Sequence, residues 1–254
     1  METNHRIKQL EIDGEVDFLR QKEWLDPTKM DTGLTIVGAG GIGSFATCMA
    51  SKLGINDIIL YDDDTFEPHN VPNQWAKKSQ VGMPKVEAVK ENAEDFGIAD
   101  IIPMNSQVDK YTAFTTPYIW SGLDSMEARV ATWEAIKSSI EAAEVPPLRY
   151  WDARLGGELI TVWSVDLTDV AEMEAFEKTL YSDGESLELP CTRRAVIDVM
   201  GYVGSFMTTG LRKAIAGDDV PGYTFFNAET MFIEHGGLIE AVEYNESTKE
   251  IIAA

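Results

Sequence analysis

Four glycines crowd the run Gly38-Ala39-Gly40-Gly41-Ile42-Gly43, directly after the apolar stretch Leu34-Thr35-Ile36-Val37. Glycines so spaced let a strand turn sharply into a helix, presenting backbone N–H groups and the positive end of the helix dipole to a phosphate. Asp62 lies 19 residues after Gly43, the distance at which an acid beyond the second strand accepts hydrogen bonds from ribose hydroxyls. This pair of features describes a nicotinamide dinucleotide site as well as an ATP site. The plain alternative is a glycine-closed turn beside a solvated Asp62-Asp63-Asp64 cluster.

The next residues separate these readings. They are Asp62-Asp-Asp64-Thr-Phe-Glu-Pro-His-Asn70-Val-Pro-Asn73-Gln74, then Val81-Gly-Met-Pro-Lys85, then Ser121-Gly-Leu-Asp124-Ser-Met-Glu-Ala-Arg129. In these ordered motifs, from about Phe18 to Ala216, the chain resembles the ubiquitin-activating-enzyme-like (ThiF/MoeB) adenylyltransferase family. The resemblance implies a doubly wound sheet, usually in a homodimer. It also implies that ATP and Mg2+ activate the free C-terminal carboxylate of a ubiquitin-like protein or peptide as an acyl adenylate. By the same resemblance Gly38, Gly40, Gly41 and Gly43 cradle phosphate, Asp62 holds the ribose and Asp64 assists beside it. Asn70, Gln74 and Lys85 contact the phosphates, and Asp124 holds the magnesium and the leaving pyrophosphate.

Those residue types suit the chemistry. A carboxylate attacking the α-phosphate is already a nucleophile and needs no general base; the barrier lies in joining two anions and in the charge on the leaving pyrophosphate. Lys85, a metal on Asp124 and amide donors neutralise that charge. The competing reading of Lys85 is a solvated lysine opposing a helix dipole, and that of Asp124 is an N-cap on the helix carrying Arg129. Arg129 itself is expected to pair with a structural carboxylate. Asp152 and Arg154 are expected to form an internal ion pair, with a place along the substrate channel as the alternative.

Arg20-Gln21 resembles the Arg-Gln pair with which the family reaches into a neighbouring subunit's ATP site, so Arg20 acts in trans or is an exposed arginine on an amphipathic arm. Asn73 departs from the family, which commonly places a phosphate-clamping arginine there; asparagine donates a hydrogen bond without charge. The paired Cys-x-x-Cys motifs of many bacterial members are missing, so no structural zinc is expected. Cys191, in Leu189-Pro-Cys-Thr-Arg193-Arg194, resembles the position of a thiol that takes the acyl group as a thioester, and two arginines beside it favour the thiolate. Packing is the alternative. Cys48 reads as core, and His5, His69 and His235 form no metal set.

These residues need a scaffold of alternating elements. The pattern predicts strands at 34–38, 58–62, 100–105, 118–121, 148–152 and 158–166, with helices at 41–53, 84–96 and 126–143. Such alternation makes an α/β, doubly wound (Rossmann-like), mostly parallel sheet with helices on both faces. Residues 169–190 read as an acidic crossing loop, and 192–216 as a buried helix or helix pair. Pieces at 223–226, 229–234 and 238–244 read as an antiparallel extension. An amino-terminal helical arm, 1–33, would lay Phe18, Leu19, Trp24 and Leu25 on the body or on a partner, ahead of one ATP-binding domain, 34–254.

The bulk properties set limits. A chain of 254 residues, 44% hydrophobic, is long enough for one sizeable core. Its net charge of −22 repels nucleic acid and anionic membranes; it serves solubility, a salt-adapted host or a basic protein partner. Two cysteines build no disulfide framework, and no signal peptide or membrane span is recognisable, so a cytoplasmic protein is expected. The reading is an ATP-dependent adenylyltransferase. An NAD-dependent oxidoreductase and a non-catalytic nucleotide-binding adaptor are the alternatives.

Overall fold

Eight strands form one sheet in the order β3-β2-β1-β4-β5-β6-β7-β8. They are β1 (Gly33–Val37), β2 (Asp57–Tyr61), β3 (Asp100–Met104), β4 (Tyr118–Ser121), β5 (Arg149–Gly156), β6 (Leu159–Asp166), β7 (Tyr223–Asn227) and β8 (Phe232–Gly236). The first five pair in parallel, and β5 to β8 pair antiparallel. The computed structural model of the chain describes residues 16–26, 29–180 and 196–248.

The inner parallel strands β1, β4 and β5 are buried on both faces, as near-continuous apolar runs require, whereas β3 at the edge leaves Ile102 exposed. Leu34, Ile36, Ile58 and Leu60 face one core, together with Phe45, Val86 and Val203 from helices α1 (Gly41–Leu53), α2 (Lys85–Phe96) and α5 (Ile197–Ala216). Val37, Ile119, Tyr150 and Val165 face the other, under α3 (Met126–Ala142), α4 (Val170–Glu177) and α6 (Leu238–Thr248). Adjacent residues therefore serve opposite cores: Trp120 and Trp151 meet edge to face at 6.5 Å on the first side, while Ile119 and Tyr150 serve the second. Each such fully buried large side chain contributes about 1.5–3 kcal/mol of transfer free energy.

The chain runs outward from β1 through β2 to β3, then returns to lay β4 on the other side of β1. The carboxyl ends of β1 and β4 thus diverge to opposite crossovers, which opens a crevice where ligands of this architecture bind. The expected glycine turn leaves β1 at that point.

Three expectations need correcting. Residues 238–248 are a helix, not a strand: Leu238, Ala241 and Val242 are buried together, and that spacing belongs to one face of a helix. Within the acidic stretch read as loop, residues 170–177 form α4, because Asp169 caps it by accepting the Ala171 N–H at 2.8 Å. The described amino-terminal residues, 16–26, make successive turns in place of a helix, and they split the expected apolar face. Phe18 and Leu25 are buried, whereas Leu19 and Trp24 are 70% and 69% exposed. Of the 192–216 run, the described part forms one helix, Ile197–Ala216. Among the described residues no helix is long and apolar enough to cross a membrane.

Candidate functional site

The turn after β1 is built by exclusion of side chains. Gly38 takes φ +97°, and its N–H donates to the Tyr61 carbonyl at 2.8 Å. A Cβ on Gly43 would lie 1.7 Å from the Gly38 carbonyl oxygen, so only glycine allows the helix to start this close to the turn. Gly40 caps α1 without a side-chain hydrogen bond, and no acid stands in the first turn of that helix. Backbone donors and the dipole there are left for an anion. The β4 loop closes on the same turn: Gly122 donates to the Val37 carbonyl at 3.0 Å, and its own oxygen lies 2.9 Å from where a Cβ on Gly38 would be. Met200 of α5 lies against Gly41, 2.7 Å from the same construction there.

Asp62 follows β2 and is tied directly to the turn. Its Oδ2 accepts the Ala39 N–H at 2.7 Å, and its Oδ1 accepts the Asp64 N–H at 2.9 Å. Burial pushes its carboxyl above the usual value in spite of nearby Lys85 and those two amides. Lys85, at the first position of α2, places Nζ 2.6 Å from Asp64 Oδ2, and its backbone N–H donates to the Asp64 carbonyl at 2.8 Å. The lysine side chain is 10% exposed and its partner 67%. A cation at this helix start therefore has a definite partner and is not solvated.

Residues 65–84 form a loop closed at its neck by a bridge between Thr65 and Pro84. Inside it Asn70 turns the chain: its Oδ1 accepts the Glu67 N–H at 2.9 Å, and its carbonyl accepts the Gln74 N–H at 2.9 Å. The returning limb is pinned to α2 by Gln80 and Asn92, which exchange carboxamide hydrogen bonds of 3.1 and 2.9 Å. Gln74 is thereby brought over the glycine turn, with Nε2 4.0 Å from the position of a Cβ on Gly40. Gln74 Oε1 and Asn73 Oδ1 are buried without a hydrogen-bond partner. Orphaned acceptors of this kind mark a place where a donor is missing.

Asp124 follows β4 and is exposed. Ser125, not Asp124, caps α3, its Oγ accepting the Ala128 N–H at 3.2 Å. Under this loop lies a buried charged cluster. Arg129 Nε meets Asp152 Oδ1 at 3.0 Å, Arg154 Nε meets Asp152 Oδ2 at 2.7 Å, and Ser121 Oγ donates to Asp152 Oδ1 at 2.8 Å. Burial alone would push the Asp152 carboxyl up, but the two guanidinium groups and the hydroxyl outweigh it and hold the carboxyl below its usual range. Arg129 is the carboxylate partner expected, and Asp152 and Arg154 form the expected internal pair.

The structure brings together Gly38, Gly40, Gly41, Gly43, Asp62, Asp64, Lys85 and Gln74, with Asp124 on the loop against the same turn. It places Arg20 elsewhere. Arg20 lines a cavity of about 450 Å³ with Lys52, Asp95 and Phe96, beside Gln21, whose Nε2 donates to the Leu53 carbonyl at 2.7 Å. Leu53 ends α1, a helix of 13 residues and so about 20 Å from the glycine turn at its other end. Cys191 lies outside the described residues, as do Arg193 and Arg194. Cys48 is core, where burial pushes its thiol up to about 12 against the pull of Lys52. Gly122 and Met200 also shape the turn; the Ser121-Gly122 pair just before Asp124 signals the first in the sequence, and no local pattern signals the second.

The model described as "ThiF family" matches residues 30–243. The ubiquitin-like modifier-activating enzyme 5 of Oryza sativa subsp. japonica is 43% identical over 58 residues, 23% of this chain and 14% of that protein. The tRNA threonylcarbamoyladenosine dehydratase of Bacillus subtilis is 40% identical over 83 residues, 32% of this chain and 30% of that one. The matched regions thus cover well under two thirds of these relatives. E. coli MccB shares the fold. Its crystal structure with ATP superposes with a TM-score of 0.61 at 14% identity, covering 84% of this chain and 65% of MccB. The structure of the Microcin C7 biosynthetic enzyme MccB in complex with N-formylated MccA gives 0.58 at 15% identity, with 84% and 66% covered.

Proposed function

Because this chain belongs to the ThiF family, whose model spans residues 30–243, we propose that it uses ATP to adenylylate the C-terminal carboxylate of a peptide or ubiquitin-like protein. The observation that carries the reading is the return of residues 65–84 onto the glycine turn, with Gln74 over Gly40 and the buried Lys85 tied through Asp64 and Asp62 to Ala39. A dinucleotide cradle needs the glycines and Asp62; it has no need of a cation and a carboxamide folded back over them.

In this scheme the amides at the α1 amino terminus bind phosphate, those of Gly38 and Ala39 being held already by Tyr61 and Asp62, and Asp62 accepts from the ribose. Lys85 exchanges Asp64 for the phosphates as that carboxylate swings out into water, and Gln74 and the Asn70 amide donate to phosphate oxygens. Arg20, remote from its own glycine turn, serves the site of a second copy in a homodimer. The exposed Asp124 carboxylate is a hard oxygen donor that fits Mg2+, which takes one or two protein carboxylates and completes its shell with water and substrate phosphates. When bound, the ion would neutralise charge on the departing pyrophosphate. Cys191 is the residue we assign to any later thioester. MccB, whose structures contain ATP and N-formylated MccA, and the ubiquitin-like modifier-activating relative are consistent with this pairing of reactants.

The test is ATP–pyrophosphate exchange with the purified chain and a panel of peptides and ubiquitin-like proteins bearing free carboxyl termini. Exchange that requires one of these acceptors is expected. ATP binding with no exchange across the panel would assign the chain to the nucleotide-binding adaptors, and preference for NAD in calorimetry would overturn the reading altogether.

A further inference from the structure

The loop that carries Asp124 rests on the side chain of Arg129. Arg129 donates from Nη2 to the carbonyl of Leu123 and from Nη1 to the carbonyl of Ser125 at 3.4 Å, so the residues on either side of Asp124 both point their oxygens at one guanidinium. The same group reaches β5 through Nε to Asp152 Oδ1 and through Nη2 to the Ala153 carbonyl at 3.2 Å. Arg129 is 6% exposed and Asp152 is fully buried. Arg154 occupies the other Asp152 oxygen and extends the chain of contacts to Thr179, whose carbonyl and Oγ1 it meets at 3.0 and 2.8 Å.

Stability alone is a poor explanation for this cluster. Two arginines and one aspartate are buried with a surplus positive charge, and burying such groups costs more than a well-packed apolar set of the same volume. What the arrangement supplies is geometry. A guanidinium is a rigid fork with five donors, which a lysine cannot imitate, and here it spans the flanks of Asp124 and the neighbouring strand.

We propose that Arg129 is a positioning residue: clamped by Asp152 and Arg154, it fixes the Leu123–Ser125 backbone so that Asp124 meets the nucleotide-bound metal without rearrangement. The inference rests on the proposed role of Asp124, and its test separates the two. Binding of a non-hydrolysable ATP analogue is measured by calorimetry across a Mg2+ titration for the wild-type chain and for Asp124→Asn, Arg129→Lys and Asp152→Asn. Asp124→Asn is expected to abolish the Mg2+ dependence. Arg129→Lys is expected to raise the Mg2+ concentration at the midpoint by about tenfold to a hundredfold, the usual cost of losing an outer support of a metal ligand, with Mg2+-free affinity unchanged. Asp152→Asn should shift it the same way by less.

If wild-type binding ignores Mg2+, the role of Asp124 fails; if it depends on Mg2+ and Arg129→Lys titrates like wild type, the positioning role fails. A measurement on the wild-type chain covers the case in which the variants do not fold. Hydrogen exchange at the Gly122 and Arg129 amides, which donate to Val37 and Ser125, should already be slow without nucleotide. Fast exchange that slows only on adding nucleotide would overturn a preset loop.

Discussion

Lys85 and Asp64 form an ion pair of 2.6 Å in which the lysine side chain is 10% exposed and the aspartate 67%. The asymmetry matters: the anion can swing into water, while the cation stays where it is, at the start of α2 beside Asp62. In the proposed reaction Lys85 exchanges Asp64 for a phosphate. Lys85→Ala should fold with a melting temperature within a few degrees of wild type, since the partner it leaves behind, Asp64, is solvated and the pair strands no buried counter-charge. It should lose about a hundredfold to a thousandfold in acceptor-dependent pyrophosphate exchange, equivalent to about 3–4 kcal/mol. Asp64→Ala, which frees the cation without removing it, should lose far less. Equal losses in the two variants would show that the pair itself, not the cation, is what the site requires.

The glycines of the turn should divide sharply. At Gly43 a methyl group would overlap the Gly38 carbonyl at 1.7 Å, whereas at Gly40 the nearest atom is Gln74 Nε2 at 4.0 Å. Gly43→Ala is therefore expected to lower the melting temperature substantially and to lose nucleotide binding with it. Gly40→Ala should remain folded yet bind an ATP analogue more weakly, because its methyl group enters the space that a phosphate would use. Circular dichroism melts and calorimetry on the same two proteins provide the comparison.

Asn73 lies beside the turn, its carbonyl oxygen 3.5 Å from where a Cβ on Gly41 would be, with Oδ1 buried and unpartnered. Where family members commonly carry a charged clamp, this chain has a neutral carboxamide. Asn73→Arg should increase affinity for the triphosphate by about 1.5–3 kcal/mol, the range for a hydrogen bond to a charged group, and the gain should shrink as salt is added. An arginine here that leaves affinity unchanged would mean that another cation already fills the role.

The buried cluster makes a pH prediction with a definite sign. The folded-state pKa of Asp152 is lowered: burial opposes this, and Arg129 and Arg154 more than offset it. A lowered folded value means that Asp152 contributes stability above its unfolded pKa of about 3.9 and loses it as pH falls through the folded value. Asp152→Asn should be less stable than wild type by about 3–5 kcal/mol at pH 7, because it leaves two arginines buried without a counter-charge. In urea denaturation the gap should hold down to about pH 5 and narrow below about pH 4. A gap that widens in acid would contradict an ionised Asp152.

Much of this arrangement was legible because period and punctuation agreed. Leu34 to Val37 and then four glycines specify a buried strand and its turn, and Arg129 was expected to need a carboxylate. That the carboxylate is Asp152, 23 residues on, follows from pairing Ser121 with Asp152 across β4 and β5, a long-range register no local pattern encodes. Leu238 to Tyr244 misled for a related reason: a short, dense apolar run fits either period, and only packing of Leu238, Ala241 and Val242 under the sheet selects the helix. The acidic stretch after Asp166 concealed α4 because its charges suggested a loop, although Asp169 followed by Glu172 is a helix-start pattern. Arg20 shows the opposite limit: its sequence neighbour Gln21 holds the turn to the end of α1, which sets the arginine beside Lys52 and Asp95 and away from the glycine turn, a placement no local pattern encodes.

The two thiols should behave differently enough to be told apart by labelling. Burial pushes the Cys48 thiol up to about 12, with only Lys52 pulling it back, so at pH 8 it is overwhelmingly protonated, and the core around it admits no reagent. Native protein treated with iodoacetamide at that pH should therefore remain unmodified at Cys48 and take up label there only in denaturant. Peptide mass spectrometry then reads Cys191 without interference. Should Cys191 serve the proposed thioester, its labelling should fall when ATP and a competent acceptor are added together and recover when a thiol such as dithiothreitol is added and removed before the iodoacetamide, whereas ATP or acceptor alone should leave it unchanged. Labelling of Cys48 in the native chain would contradict its burial, and Cys191 labelling that is indifferent to the pair of reactants would limit the reaction to the adenylate.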